Sequence, residues 1–256
     1  MTTFKNFYFS IADNMEKAFD ETVVVWKTFT LTYIEYPEDD VWGKSLAILS
    51  LAPLIIVIMF LTFFAAKRDM HTLTFGIGTI LNGCINVFLK HTFKESRPEE
   101  SLNRAKTSKL WEQYGWPSSH SQFMFFVSSY LVLFVLFRLN HAGASLKNRF
   151  LWLLTLLAAM SLAAIVAYGR VYLGYHSQNQ VYWGGGIGAG WAFIWFLLTQ
   201  FVLSKWYSWL CSTRLFEFFL IRDYSDIPNV MWFDYFHANK EAKTRNRKKS
   251  FKTKAN

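Results

Sequence analysis

Five stretches of this chain carry no formally charged side chain over roughly the length a helix needs to cross a bilayer. They run over Ser45 to Ala66, Met70 to Leu89, Ser121 to Phe137, Phe150 to Gly169 and Ser177 to Ser204. A helix rises about 1.5 Å per residue, so a hydrocarbon core about 30 Å thick takes roughly 20 apolar residues. One such stretch could be a buried helix of a soluble protein. Five in 256 residues, with only 18% charged side chains, leave too little polar surface to cover a soluble fold. The expected fold is all-α, a polytopic membrane bundle of about five transmembrane helices.

The remaining segments divide the chain. Residues 1–44 mix Phe, Trp and charges and read as an N-terminal interfacial segment. Residues 45–204 form the transmembrane domain and 205–238 an interfacial C-terminal segment. Residues 239–256 are a basic tail. Lys205, Arg214 and Glu217 interrupt Trp206 to Ile221 too often for a span, and the pattern predicts an amphipathic helix on the surface. No apolar run with a cleavage site opens the chain, so the first span is expected to start insertion itself. Cys84 and Cys211 do not form a disulfide framework.

Basic loops favour the cytoplasmic side. Lys67 and Arg68, then Arg138, Lys147 and Arg149, then Lys205 and the tail all fall on one side if the chain alternates through five spans. The tail reads as a solvated, disordered end that helps fix this orientation. The acidic run Glu35, Glu38, Asp39, Asp40 lies opposite. So do the loops from Lys90 to His120 and from Arg170 to His176. These two loops hold Lys90, Lys94, Arg97, Arg104, Lys106, Lys109 and Arg170, cations on the side that topology disfavours. A need for positive charge explains them better than topology does.

Three short stretches at span boundaries on that side carry candidate chemistry. Lys90 and Arg97 are seven apart and share a helix face if the second span continues past Leu89. Pro98 then ends the helix near Arg97. A guanidinium fork and an ammonium aimed the same way suit a phosphate. In Gly115-Trp-Pro-Ser-Ser-His120, Pro117 fits a first helical position and Ser118 the cap. Helix N–H groups there would face an anion, with the Ser119 hydroxyl adding a donor. His120 would stand close enough to protonate a leaving oxygen. In Gly169-Arg170-Val-Tyr-Leu-Gly-Tyr-His176, a turn near Gly174 could bring Arg170 and His176 together. His176 would open the fifth span, and its neutral imidazole can attack phosphorus. Gln180, four residues on, is the candidate that holds its tautomer. Taken singly, each stretch also fits an anchored or capped helix. Their order and common side make the set specific.

These stretches resemble the type 2 phosphatidic acid phosphatase superfamily, whose pattern is K-x6-R-P, P-S-G-H and S-R-x5-H-x3-D. Here they read Lys90-x6-Arg97-Pro98, Pro117-Ser118-Ser119-His120 and Gly169-Arg170-x5-His176-x3-Gln180. The resemblance implies a helical bundle, no metal or other cofactor, His176 as nucleophile and His120 as acid. Lys90, Arg97, Ser118, Ser119 and Arg170 would clamp the phosphoryl oxygens.

A closer resemblance is to the dolichyl-diphosphatase family. It rests on the continuation of the second motif to Met124 and on Arg170-Val-Tyr-Leu-x-Tyr-His176. It extends to Glu217-Phe-Phe-Leu-Ile-Arg-Asp223, Ile227-Pro-Asn-Val-Met-Trp-Phe233, Thr32 and Glu35-Tyr-Pro37, over residues 28 to 249. It implies hydrolysis of dolichyl diphosphate to dolichyl phosphate in support of protein N-glycosylation; the alternatives are a phosphatase for phosphatidic acid, a sphingoid phosphate or another polyprenyl diphosphate, and a non-catalytic lipid-binding or transport protein on the same bundle. The site would face the lumen of the endoplasmic reticulum and the tail the cytoplasm. The implied partners are that lipid and the bilayer; nucleic acid is not one, and no protein partner is named. Three positions depart from the superfamily pattern. Gln180 stands where an Asp is usual, so a carboxylate from elsewhere could substitute. Gly169 replaces Ser and Ser119 replaces Gly.

Overall fold

The computed structural model describes residues 26–29, 34–99, 114–138, 146–225, 227 and 230–254. Five of its helical segments are long and apolar enough to cross a membrane: Val41–Lys67, Met70–Phe93, Ser119–Phe137, Arg149–Tyr172 and Gln178–Cys211. The first comprises α1 (Val41–Leu49) and α2 (Ala52–Lys67), joined through Ser50 and Leu51. The others are built on α3 (Met70–Phe93), α4 (Ser119–Phe137), α5 (Leu146–Tyr172) and α6 (Gln178–Phe201). They match the five uncharged stretches, because a run without charges is the strongest signal that lipid imposes on sequence.

The bundle is apolar outside and partly polar within. Leu54, Ile58, Ile80, Phe88, Leu153, Phe193 and Ile194 point outward and are exposed. In water such a surface would associate; in lipid it is matched. Asn82, Asn86, Gln122 and Ser128 are buried. Helix α4 is central and packs on α6, α5 and α3. Its contact with α6 is close because small residues let the two backbones approach. A Cβ at Gly184 would lie 2.7 Å from the Ser118 carbonyl oxygen, and one at Gly188 would collide with that of Gln122. Beyond this contact, toward the C-terminal ends of both helices, Phe126, Tyr130, Ala192, Trp195 and Phe196 form an apolar core.

A ladder of amides locks α3 to α4. Gln122 Nε2 donates to the Asn82 side chain and carbonyl, both at 2.9 Å. Gln122 Oε1 accepts from Asn86 Nδ2 at 2.8 Å, which also donates to the Pro117 carbonyl at 3.2 Å. Asn86 Oδ1 accepts from the Ser119 hydroxyl at 2.9 Å. Every polar group in such a chain needs a partner away from water. Satisfied in this way, the ladder fixes the start of α4 against the end of α3.

At the other end, Asp69 caps α3 by accepting from Thr72 N at 3.0 Å. Arg222 exchanges backbone hydrogen bonds with Met70 and Arg68 at 3.0 and 2.8 Å. Arg138 donates to the Ser225 carbonyl at 2.6 Å, and Lys67 pairs with Asp234 at 2.9 Å. Arg222, Ser225 and Asp234 are therefore tied to the bundle end opposite the first turn of α4.

Several elements differ from expectation. The stretch Trp206 to Ile221 is not one interfacial helix. It is a 3-10 turn (Leu203–Trp206), then α7 (Tyr207–Cys211) and α8 (Arg214–Phe218). Ser212 and Thr213 separate the two short helices, and the Thr213 hydroxyl donates to the Leu210 carbonyl at 2.7 Å. The basic tail is not an irregular end: α9 runs unbroken over Val230–Lys254, with an Arg245–Glu241 pair one turn apart at 2.9 Å. Within residues 1–44, β1 (Trp26–Phe29) pairs antiparallel with β2 (Ile34–Pro37). This hairpin is held against the bundle where Glu35 N donates to the Tyr175 hydroxyl at 2.9 Å. Residues 1–25 lie outside the described residues.

Candidate active site

Helix α3 stops sooner than its motif suggested. It ends at Phe93, and Lys94 closes it in the left-handed region with φ 51°. Lys90 remains on the last turn, but Arg97 sits on the loop beyond. The two do not share a helix face; the loop, not the helix, aims Arg97. That loop is pinned to the approach to α4. Gly115 N donates to the Glu95 carbonyl at 2.8 Å, Ser96 and Tyr114 form a backbone bridge, and Lys90 Nζ donates to the Tyr114 carbonyl at 3.3 Å. Arg104, Lys106 and Lys109 lie outside the described residues.

Ser118 is the N-cap of α4, and Pro117 stands just before it rather than at the first helical position. The backbone of Ser118 donates to the Gln180 carbonyl at 3.0 Å, so α6 holds the cap in place. Its hydroxyl makes no capping bond and is buried without a hydrogen-bond partner among the described residues. The first-turn N–H groups of α4 thus keep capacity for an external acceptor. Ser119 differs from expectation. Its hydroxyl proton is committed to Asn86, so it braces the helix start instead of offering a free donor. His120 lies on the first turn of α4.

The turn from α5 to α6 brings Arg170 and His176 together. Gly174 takes φ 68°, a value an L side chain rarely adopts. The N–H groups of Tyr175 and His176 both donate to the Arg170 carbonyl, at 3.0 and 3.1 Å. The Arg170 guanidinium lies 4.0 Å over the Tyr175 ring, a cation–π contact that positions it without neutralising it. Ser177 caps α6 in a reciprocal box with Gln180. His176 therefore precedes α6 instead of opening it.

The Gln180 contact does form, although the two residues do not lie along one helix. His176 Nδ1 is 3.1 Å from Gln180 Oε1. That contact occupies Nδ1 and leaves Nε2 as the ring nitrogen available to a ligand. Burial, then the charges of Arg170, Arg97 and Lys90, hold the His176 imidazole well below its usual pKa; the Gln180 bond acts in the opposite direction. The ring is neutral at neutral pH. Lys90, Arg97 and Arg170 lie within electrostatic reach of both His176 and His120.

Lys90 is 9% exposed and Arg170 6%, and among the described residues neither forms an ion pair. Buried like charges without a counter-ion are costly, and a multiply charged anion between them relieves that cost. With a neutral nucleophilic imidazole beside them, these groups suit transfer of a phosphoryl group.

The sequence alone did not reveal Glu95 as a partner of Gln180, the amide ladder beneath Ser119, or Tyr175 beneath Arg170. The ladder had a readable signal. Asn82, Asn86 and Lys90 recur every four residues in an apolar span, where amides are seldom placed without a partner.

The chain belongs to the PAP2 superfamily, whose model matches residues 71–204, and it is a phosphatase. It is 42% identical over 224 residues to dolichyldiphosphatase 1 of Mus musculus, covering 87% of this chain and 92% of the relative. Dolichyldiphosphatase 1 of Dictyostelium discoideum is 34% identical over 88% of this chain and 94% of its own length. Lipid phosphate phosphatase gamma of Arabidopsis thaliana is 35% identical over 88% of this chain and 96% of its own. No solved structure matches the chain.

Proposed function

We propose that this chain hydrolyses dolichyl diphosphate to dolichyl phosphate and phosphate. We place the reaction at the lumenal face of the endoplasmic reticulum membrane, recycling the lipid carrier for protein N-glycosylation, with the tail cytoplasmic. The observation that carries the chemistry is a neutral His176, its Nδ1 bonded to Gln180, beside the buried cations Lys90 and Arg170. The substrate rests on similarity to the dolichyldiphosphatases. The side rests on the placement of the basic loops.

In this mechanism Lys90, Arg97 and Arg170 clamp the terminal phosphoryl oxygens, together with the Ser118 hydroxyl and the first N–H groups of α4. The Nε2 lone pair of His176 attacks the terminal phosphorus. The N–P bond forms as the bridging P–O bond breaks, and its electron pair leaves on dolichyl phosphate. The bound diphosphate offsets the three cations that act on His120, so His120 takes up a proton as the substrate binds and gives it to that oxygen. A water then attacks the phosphohistidine. His120 takes the proton of the water, the N–P bond breaks and phosphate departs. Gln180 keeps the Nδ1 proton in place throughout. The isoprenoid stays among the outward-facing apolar side chains.

The Arabidopsis relative, named for lipid phosphates, supports a second substrate class of that kind. The test uses purified protein in detergent with dolichyl diphosphate, phosphatidic acid and sphingosine phosphate in parallel. Phosphate release is expected chiefly from dolichyl diphosphate. Equal release from all three overturns the specific substrate. Full activity in a His176→Ala variant overturns the nucleophile.

A further inference from the structure

The amide of Gln180 has a donor end and an acceptor end, and its surroundings decide which one meets His176. Nε2 donates to Glu95 Oε1 at 2.9 Å and to the Ser96 carbonyl at 2.8 Å. A carboxylate and a carbonyl only accept. Turning the amide over would set its oxygen against both. Oε1 must therefore face His176 Nδ1 and the Ser177 N–H, at 3.1 and 3.3 Å. Because Oε1 cannot donate, Nδ1 carries the proton and Nε2 holds the lone pair.

The carboxylate is not on a loose strand. Lys94 turns the chain just before Glu95, and the Glu95 carbonyl is bonded to Gly115 N at 2.8 Å. Gly115 also leaves the amide its room. A Cβ there would lie 2.5 Å from Gln180 Oε1 and 2.7 Å from Nε2.

We propose that Glu95 is a positioning residue for the reaction, the charged member of a His176–Gln180–Glu95 relay that stands in for a carboxylate beside the nucleophile. This rests on His176 being the nucleophile. Through the amide, Glu95 fixes the tautomer. When the Nε2–P bond forms, the ring becomes cationic and keeps its Nδ1 proton, which an amide cannot remove. The Glu95 charge polarises the amide toward that ring and stabilises it. Glu95 is exposed at the site mouth, so its charge can be altered without opening the core.

The test is Glu95→Gln in the full-length protein in detergent, since it keeps size and acceptor and removes charge. On the lipid turned over by wild type, kcat is expected to fall on the order of 10-fold while KM stays within about twofold. Glu95→Ala is expected to cost at least as much. In a Gln180→Asp background, where a carboxylate meets His176 directly, Glu95→Ala is expected to cost about twofold or less. Wild-type kcat in Glu95→Gln overturns the relay. So does an undiminished loss from Glu95→Ala in any active Gln180→Asp background. If Gln180→Asp is itself inactive, Glu95→Gln decides alone. A wild type that hydrolyses other lipid phosphates but not dolichyl diphosphate overturns only the proposed substrate, and the comparison is then made on that lipid.

Discussion

His176 Nδ1 and Gln180 Oε1 are 3.1 Å apart across the cap of α6. An amide oxygen accepts from an imidazole N–H as a carboxylate does, but it cannot take the proton. Gln180→Leu, which keeps bulk and loses the acceptor, is expected to lower kcat on the order of 10²-fold or more through loss of the tautomer. It also breaks the capping box, at a cost of about 1 kcal/mol. Steady-state kinetics and thermal unfolding of the purified variant separate the two effects.

In the proposed mechanism Lys90 supplies a cation to the phosphate at a cost in stability. It is buried at α3's last turn within reach of the charges of Arg97 and Arg170, with the Tyr114 carbonyl as its acceptor. Lys90→Met is expected to abolish most activity and yet stabilise the protein by about 1–2 kcal/mol. Unfolding in detergent reads the second effect. Inorganic phosphate should raise the wild-type midpoint more than that of the variant.

The pH profile has a defined direction. His176 attacks only when neutral. Burial and then the cations Arg170, Arg97 and Lys90 depress its pKa, so protonation removes the nucleophile only well below pH ~6.5, the usual imidazole value. The acid limb of kcat/KM set by this residue is expected below that pH. Arg170→Gln removes one depressing charge and should move the limb upward while lowering the rate. A limb that moves downward contradicts the assigned field.

The demand on His120 depends on the leaving group. Dolichyl phosphate leaves as a stabilised phosphate oxyanion, whereas a phosphate monoester must expel an alkoxide. His120→Gln is therefore expected to cost less on dolichyl diphosphate than on phosphatidic acid. Comparing the two losses in one preparation checks the assignment of His120 as acid.

Close backbone packing between α4 and α6 gives a contrast of glycines. A Cβ at Gly188 strikes the Gln122 backbone, whereas one at Gly186 meets nothing within 4 Å. Gly188→Ala is expected to destabilise by about 1–3 kcal/mol and to lower activity by displacing the cap at Ser118. Gly186→Ala should leave both unchanged. Unfolding midpoints of the pair check this.

The spans were legible because lipid filters charge over some twenty residues at once, a signal no local contact can hide. The meeting of Arg170 with His176 was legible because Gly174 between them permits a tight turn. What the sequence concealed depends on contacts between distant loops. Glu95 meets Gln180 only because Gly115 and Tyr114 pin the chain after Lys94. The placement of Arg97 turned on a helix end set by Lys94, which no proline marked. Ser119 read as a free hydroxyl because its acceptor, Asn86, lies on another helix. The hairpin of β1 and β2 is held by Tyr175, a residue far along the chain.

Trapping the intermediate tests the role of His176 most directly. Dolichyl diphosphate labelled in its terminal phosphate would be mixed with the enzyme, quenched in alkali within one turnover, and the protein digested and mapped. Label is expected on the peptide carrying His176, stable to base, labile to acid and absent from His176→Ala. A wild type that turns over with no such label, or a His176→Ala protein that still acquires it, would contradict direct attack by this histidine.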